Sequence, residues 1–107
     1  MLKVGGQWVS PIEVENALMA HDAVQECAVV GREDGDRLVK PCAFVVVRDS
    51  VAPGAALGYE LQQFARSRLA DYKRPRWVEF VAALPKTPTG KVQRFKLREQ
   101  LAQLSAL

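Results

Sequence analysis

Pro85-Lys86-Thr87-Pro88-Thr89-Gly90-Lys91 is the stretch around which the 107-residue chain is organised. Its prolines fix φ and remove backbone donors, so it is neither a helix interior nor a central strand. Gly90 can supply a positive φ, which makes a tight turn just before Lys91. Such a turn presents a long ammonium from a stiff loop, suited to a phosphate or carboxylate. A solvated connection between two elements is the plainer reading of the same residues. The stretch is not a Walker phosphate loop: that motif needs glycine where Pro85 stands and Ser or Thr where Val92 stands.

Outward from this loop the chain reads as one small α+β domain. Leu2 to Val9 places two short β pieces around Gly5-Gly6, a hairpin signal that needs positive φ. Ser10-Pro11-Ile12-Glu13 is a helix start, with Ser10 as cap, Pro11 in the first turn and Glu13 completing a capping box. That helix runs to about Ala20 with Ile12, Val14 and Leu18 toward the core. Glu13 and Glu15, two apart on a helix, do not face each other as an acid–base pair, and helix-end electrostatics account for them. His21 suits the helix C-terminus without a catalytic role.

Val24 to Gly31 reads as a strand, and Arg32 to Lys40 as a charged turn. Pro41 to Arg48 is apolar on both faces and is therefore a central strand, paired antiparallel with the first. After the loop Asp49 to Gly58, a helix carries Leu57, Leu61, Phe64 and Ala65 on one stripe and ends near Leu69. Asp71 to Arg76 is a basic turn with one aromatic, Tyr72, and Trp77 to Val81 is a third strand. Val92 to Phe95 is extended or turning, and a last helix aligns Leu97, Leu101 and Leu104. The expected fold is a central, mostly antiparallel sheet of about three strands flanked by helices, plus the N-terminal hairpin.

Composition narrows the function classes. Hydrophobic residues at 49% and charged residues at 25% describe an ordinary globular chain. The longest apolar run, Ala43 to Val47, is strand-sized, so no membrane span is expected. Lys3 is followed by glycines rather than an apolar segment, so no secretory leader is read. The formal charge of +3 admits anionic partners. A nucleic-acid binder would need aromatics interleaved with basic residues on a sheet face, and only Tyr72 and Trp77 lie near the basic turn. Cys27 and Cys42, inside apolar runs, read as buried reduced thiols. Two cysteines and His21 lack metal-finger spacing, so no metal site is expected.

Leu2-Lys3-Val4-Gly5-Gly6-x-x-Val9-Ser10-Pro11-x-Glu13-Val14-Glu15 and Leu84-Pro85-Lys86-Thr87-x-Thr89-Gly90-Lys91, with Tyr72-Lys73-Arg74-Pro75 between them, resemble the C-terminal domain of the adenylate-forming enzymes. These are acyl- and aryl-CoA synthetases, peptide-synthetase adenylation domains and luciferase. Leu38 to Pro41 and Pro75-Arg76-Trp77-Val78-Glu79-Phe80 are most similar to the benzoate-CoA ligase subgroup. The resemblance implies that residues 1–107 are a small mobile domain, with a large N-terminal domain and a hinge preceding it.

Further implications concern the site. Lys91 is the expected catalytic lysine for adenylation, carried on a loop with Thr89 and Gly90 that meets the acid and ATP. Gly5, Gly6 and Trp8 are expected along the CoA pantetheine tunnel, and Tyr72 and Arg74 near the CoA nucleotide. Some relatives carry an aromatic near Leu38, where leucine cannot stack. The implied partners are ATP with Mg2+, CoA, an aromatic carboxylic acid and the large domain, in the cytoplasm. A lysine acetyltransferase and deacetylase acting on Lys91 follow from the same resemblance, as does carrier-protein docking in the peptide-synthetase branch.

Overall fold

The computed structural model describes residues 1–106, with side chains described through residue 103. Two short strands, β1 (Leu2–Val4) and β2 (Gln7–Val9), form the N-terminal hairpin. Helix α1 (Pro11–Met19) follows, then the long strands β3 (Val24–Glu33) and β4 (Val39–Val47). Helix α2 (Ala55–Arg68) and a single 3-10 turn (Asp71–Lys73) lead to β5 (Trp77–Phe80), and α3 (Arg94–Ala106) closes the chain.

The main sheet has the order β3-β4-β5. β3 and β4 pair antiparallel, from Val24 opposite Val47 to Glu33 opposite Val39, with a register shift between Val24 and Glu26. β4 and β5 pair parallel, Cys42 opposite Trp77 through Val45 opposite Phe80. A parallel neighbour needs a crossover, and α2 supplies it. The expected antiparallel pairing thus accounts for the longer ladder, while the third strand makes the sheet mixed.

Both faces of the sheet are covered, which is why β4 reads as an unbroken apolar run. On one face Val24, Val29, Ala43 and Val45 pack with Val4 and Val9 of the hairpin, Val14 and Leu18 of α1, and Leu61 and Ala65 of α2. On the other, Ala28, Val30, Cys42, Phe44 and Val46 pack with Leu84 and with Leu97 and Leu101 of α3. Successive residues of β4 alternate between the two cores, as the pleat requires. Leu104, expected on the α3 stripe, lies outside the described side chains.

Two local expectations about α1 change. Ile12 is exposed rather than directed to the core. The capping box is half formed: Glu13 N–H donates to Ser10 Oγ at 3.3 Å, but the Glu13 carboxylate accepts from Lys73 Nζ at 2.9 Å. An ammonium within reach outcompetes a backbone N–H for that carboxylate. His21 also does more than end the helix. Its Nε2 pairs with Glu60 at 2.6 Å, its Nδ1 accepts from Ala23 N–H at 3.0 Å, and its ring meets Phe64 edge-on.

Candidate functional site: two loops and a basic groove

The Lys91 loop is a miniature hairpin. Lys86 and Val92 form an antiparallel bridge, and Gln93 N–H donates to Pro85 O at 2.9 Å. At the tip, Gly90 N–H donates to Thr87 O and Thr87 N–H to Lys91 O, both at 2.9 Å. Thr87 Oγ1 accepts from Lys91 N–H at 3.1 Å and lies 3.0 Å from Thr89 Oγ1. Gly90 adopts φ +88°, the left-handed region that favours glycine. The turn expected before Lys91 is therefore present, held by its own threonines. The Lys91 side chain is exposed and has no ion-pair partner among the described residues. Its charge is available to something outside this chain.

At the other end, Gly5 and Gly6 adopt φ +54° and +81°, the combination a two-residue hairpin turn demands. A Cβ at either position meets nothing within 4 Å. Their backbone is thus open to approach. Trp8 is exposed, with Lys3 Nζ 5.7 Å from its ring centroid.

Between the hairpin and the basic turn runs a groove of about 530 Å³. Val4, Gly5 and Gln7 form one wall, Tyr72, Arg74 and Arg76 another, and Lys40 and Tyr59 border it. Gln62 fixes the basic turn by donating to Arg76 O at 2.7 Å, and Arg76 N–H donates to Pro41 O at 2.8 Å. Lys73 turns away to Glu13, whose carboxylate holds its pKa above the ordinary lysine value. Arg74 Nε meets Asp71 at 3.2 Å while remaining partly exposed. The structure thus brings Gly5, Tyr72 and Arg74 together. Gly6 and Trp8 do not line this groove, and neither does Lys91.

The loops are rooted on opposite faces of the sheet. Val4 and Val9 fix the glycine hairpin in the core under α1 and α2. Leu84, Leu97 and Val92 fix the Lys91 loop in the core under α3.

Sequence reasoning missed an ion pair, buried on its carboxylate side, that joins α1 to the start of α3. Glu15 on α1 is 8% exposed. Its carboxylate accepts from Arg94 Nη2 at 2.6 and 2.7 Å and from Arg94 Nε at 3.1 Å. It also accepts from Val29 N–H of β3 at 2.7 Å. A signal existed: position 15 falls on the same helical stripe as Pro11, Val14 and Leu18, where a solvated carboxylate does not belong. Lys86 likewise pairs with Glu26 of β3.

Burial pushes the Cys27 thiol up to about 12, with the nearby Glu15 charge adding to the effect, and the Cys42 thiol up to about 11. Both are free thiols; Cys42 is buried as expected, Cys27 only partly so, and neither has the lowered pKa of a nucleophile. Among the described residues no three His, Cys, Asp or Glu side chains converge as metal ligands. No helix among them is long and apolar enough to cross a membrane.

This architecture is that of a known family. The sequence matches the AMP-binding enzyme C-terminal domain over residues 13–91, and the chain belongs to that family. It is 60% identical to the benzoate-CoA ligase of Thauera aromatica over 98 residues, covering 92% of this chain and 19% of that protein. It is 48% identical to a 4-hydroxybenzoate-CoA/benzoate-CoA ligase of Rhodopseudomonas palustris, again over 92% of this chain and 19% of the relative. Among solved structures, the anthranilate CoA ligase AuaEII in complex with anthranoyl-AMP superposes with a TM-score of 0.94 at 54% identity, covering 100% of this chain and 21% of that one. A benzoate CoA ligase from Burkholderia xenovorans LB400 gives 0.81 at 55% identity, over 86% and 19% of the two chains. The chain spans about a fifth of the length of these relatives.

Proposed function

We propose that this chain is the mobile C-terminal domain of an aryl-CoA ligase of the benzoate-activating kind, working against a large N-terminal domain that holds the acid. The acid and ATP, delivered as its magnesium complex, give an acyl-adenylate and pyrophosphate. CoA then displaces AMP to give the thioester. The observation that carries this reading is the placement of the two loops on opposite faces of one sheet. A rotation of the domain exchanges one loop for the other without deforming either.

In the adenylation pose Lys91 lies between the carboxylate and the α-phosphate. Bringing two anions together is the electrostatic difficulty of that step, and a fixed cation relieves it. A unit-charge pair at about 4 Å is worth roughly 4 kcal/mol at an effective dielectric of ~20, or roughly three powers of ten in rate. Thr87, Thr89 and Gly90 hold the loop that delivers the charge. In the thioester pose the Gly5-Gly6 turn lines the pantetheine path, its missing side chains leaving the thiol room, with Trp8 flanking it. The groove with Tyr72 and Arg74 receives the CoA nucleotide, the ring stacking on adenine and the guanidinium holding a phosphate. A cytoplasmic location and a role in aromatic degradation are part of the same proposal, motivated by the aromatic acid that the reading assigns as substrate.

Acetylation would neutralise Lys91, so a lysine acetyltransferase and deacetylase are proposed as regulatory partners. Unchanged adenylation after complete acetylation at Lys91 would refute that part.

The test is Lys91→Ala in the full-length protein. Benzoate-dependent pyrophosphate release should fall by about three powers of ten, while thioester formation from supplied benzoyl-adenylate persists. Equal loss of both half-reactions would refute the division of labour.

A further inference from the structure

We infer that Glu15 and Arg94 form a positioning pair that sets where Lys91 is delivered, by clamping the root of its loop to the middle of α1 and the free edge of β3. The inference rests on the reading of Lys91 as the adenylation lysine.

The connection can be followed atom by atom. Arg94 is the first residue of α3, three beyond Lys91. The residue before it, Gln93, donates to Pro85 O at 2.9 Å and so closes the loop's base. Arg94 reaches Glu15 with its Nε and Nη2 edge, a fork that fixes the plane of the guanidinium as well as its distance. Glu15 is in turn held by Val29 N–H at 2.7 Å. Val29 belongs to β3, which ends the sheet order, so this contact lies at the strand's free edge. There the pair passes from α1, which covers one face, to α3, which covers the other. α1 starts two residues after the glycine hairpin, with Ser10 as its cap. The other leg of the Lys91 loop is tied to the same strand, because Lys86 pairs with Glu26.

Cohesion alone does not require this arrangement. A buried ion pair can commonly be replaced by apolar residues of similar volume without loss of stability. What apolar contacts do not supply is direction: a bidentate pair holds one geometry where a greasy contact tolerates several. Lys91 stands at the end of a lever whose root is this contact. A displacement of about an ångström at a reacting group can cost on the order of a hundredfold in rate.

The experiment compares wild type, Glu15→Gln, Lys91→Ala and the double variant in the full-length protein. Each is assayed in single turnover for adenylate formation and, separately, for thioester formation from supplied adenylate. Glutamine keeps an acceptor for Val29 N–H and loses the charge that holds Arg94. Glu15→Gln should lower the adenylation rate roughly 10- to 100-fold, leave the KM for ATP and thioester formation unchanged, and add no further loss on the Lys91→Ala background. Arg94→Lys, which keeps the charge and loses the fork, should show the same split and serves if Glu15→Gln does not fold. Equal loss in both half-reactions, or additive loss on Lys91→Ala, would mean that the pair acts only on the fold and would overturn the inference. Intact adenylation in Lys91→Ala alone would overturn the reading of that lysine and this inference with it.

Discussion

Glu15 Oε1 and Arg94 Nη2 stand 2.6 Å apart, joining positions separated by 79 residues. The carboxylate is buried, so truncation strands the guanidinium and leaves Val29 N–H without its acceptor. Glu15→Ala should therefore destabilise the domain by about 2 kcal/mol, mostly through the unsatisfied Val29 N–H, because the guanidinium is a third exposed and can be solvated. Glu15→Gln, which retains an acceptor, should cost less. Urea unfolding of the two variants checks the order, and an alanine variant as stable as wild type would contradict it.

Substitutions at Gly6 separate backbone strain from bulk. The position needs φ +81°, but a Cβ there touches nothing in this chain. Gly6→Asn, which tolerates the left-handed region, should leave stability nearly unchanged, whereas Gly6→Ala should cost about 1 kcal/mol. Both, and Gly6→Ile most of all, should impair thioester formation while pyrophosphate exchange survives. Intact CoA turnover in Gly6→Ile would rule out the tunnel role.

Arg74 borders the groove and is engaged only by Asp71 among the described residues. Arg74→Ala should raise the KM for CoA about tenfold, the worth of one charge-assisted hydrogen bond, without changing the adenylation rate. Steady-state kinetics with CoA varied would decide this; an unchanged KM assigns the CoA nucleotide elsewhere.

The thiols predict an alkaline limit to stability. Folding raises Cys27 from an ordinary 9.0 to about 12 and Cys42 to about 11, chiefly by burial. Between these values the unfolded chain has lost protons that the folded chain keeps, so ionisation favours unfolding. The thiol contribution should be whole below about pH 9 and shrink as pH rises toward 11 and 12. Denaturant titrations from pH 8 upward read this directly. At pH 8, iodoacetamide should label both thiols slowly in native protein and rapidly in urea.

Much of the fold was legible because its signals are local. Ser10-Pro11 announces α1, Gly5-Gly6 announces the hairpin, and the apolar run through Val47 announces a strand covered on both sides. The parallel partner of β4 was not legible, because strand direction is set by where α2 returns the chain, not by the residues of Trp77–Phe80 themselves. The site divides similarly. Lys91, Gly5 and Gly6 were visible through turn chemistry. The groove shared by Gly5, Tyr72 and Arg74 needed the hairpin and the basic turn, far apart in the sequence, to meet. Glu15 looked like a helix-surface carboxylate because its partner is encoded at the far end of the chain, and Ile12 was assigned inward because hydrophobicity alone does not say which side of a stripe ends in solvent.

The proposed working residues lie outside both hydrophobic cores. Lys91, Thr89, Gly5, Gly6 and Tyr72 are all exposed, while the buried positions belong to neither loop tip. Selection for a soluble, well-expressed chain and selection for catalysis therefore act on largely separate letters of the sequence. A library sorted by yield or melting temperature would pass catalytically dead variants unnoticed. A laboratory that improved this chain by expression alone would be free to erase the chemistry proposed for it.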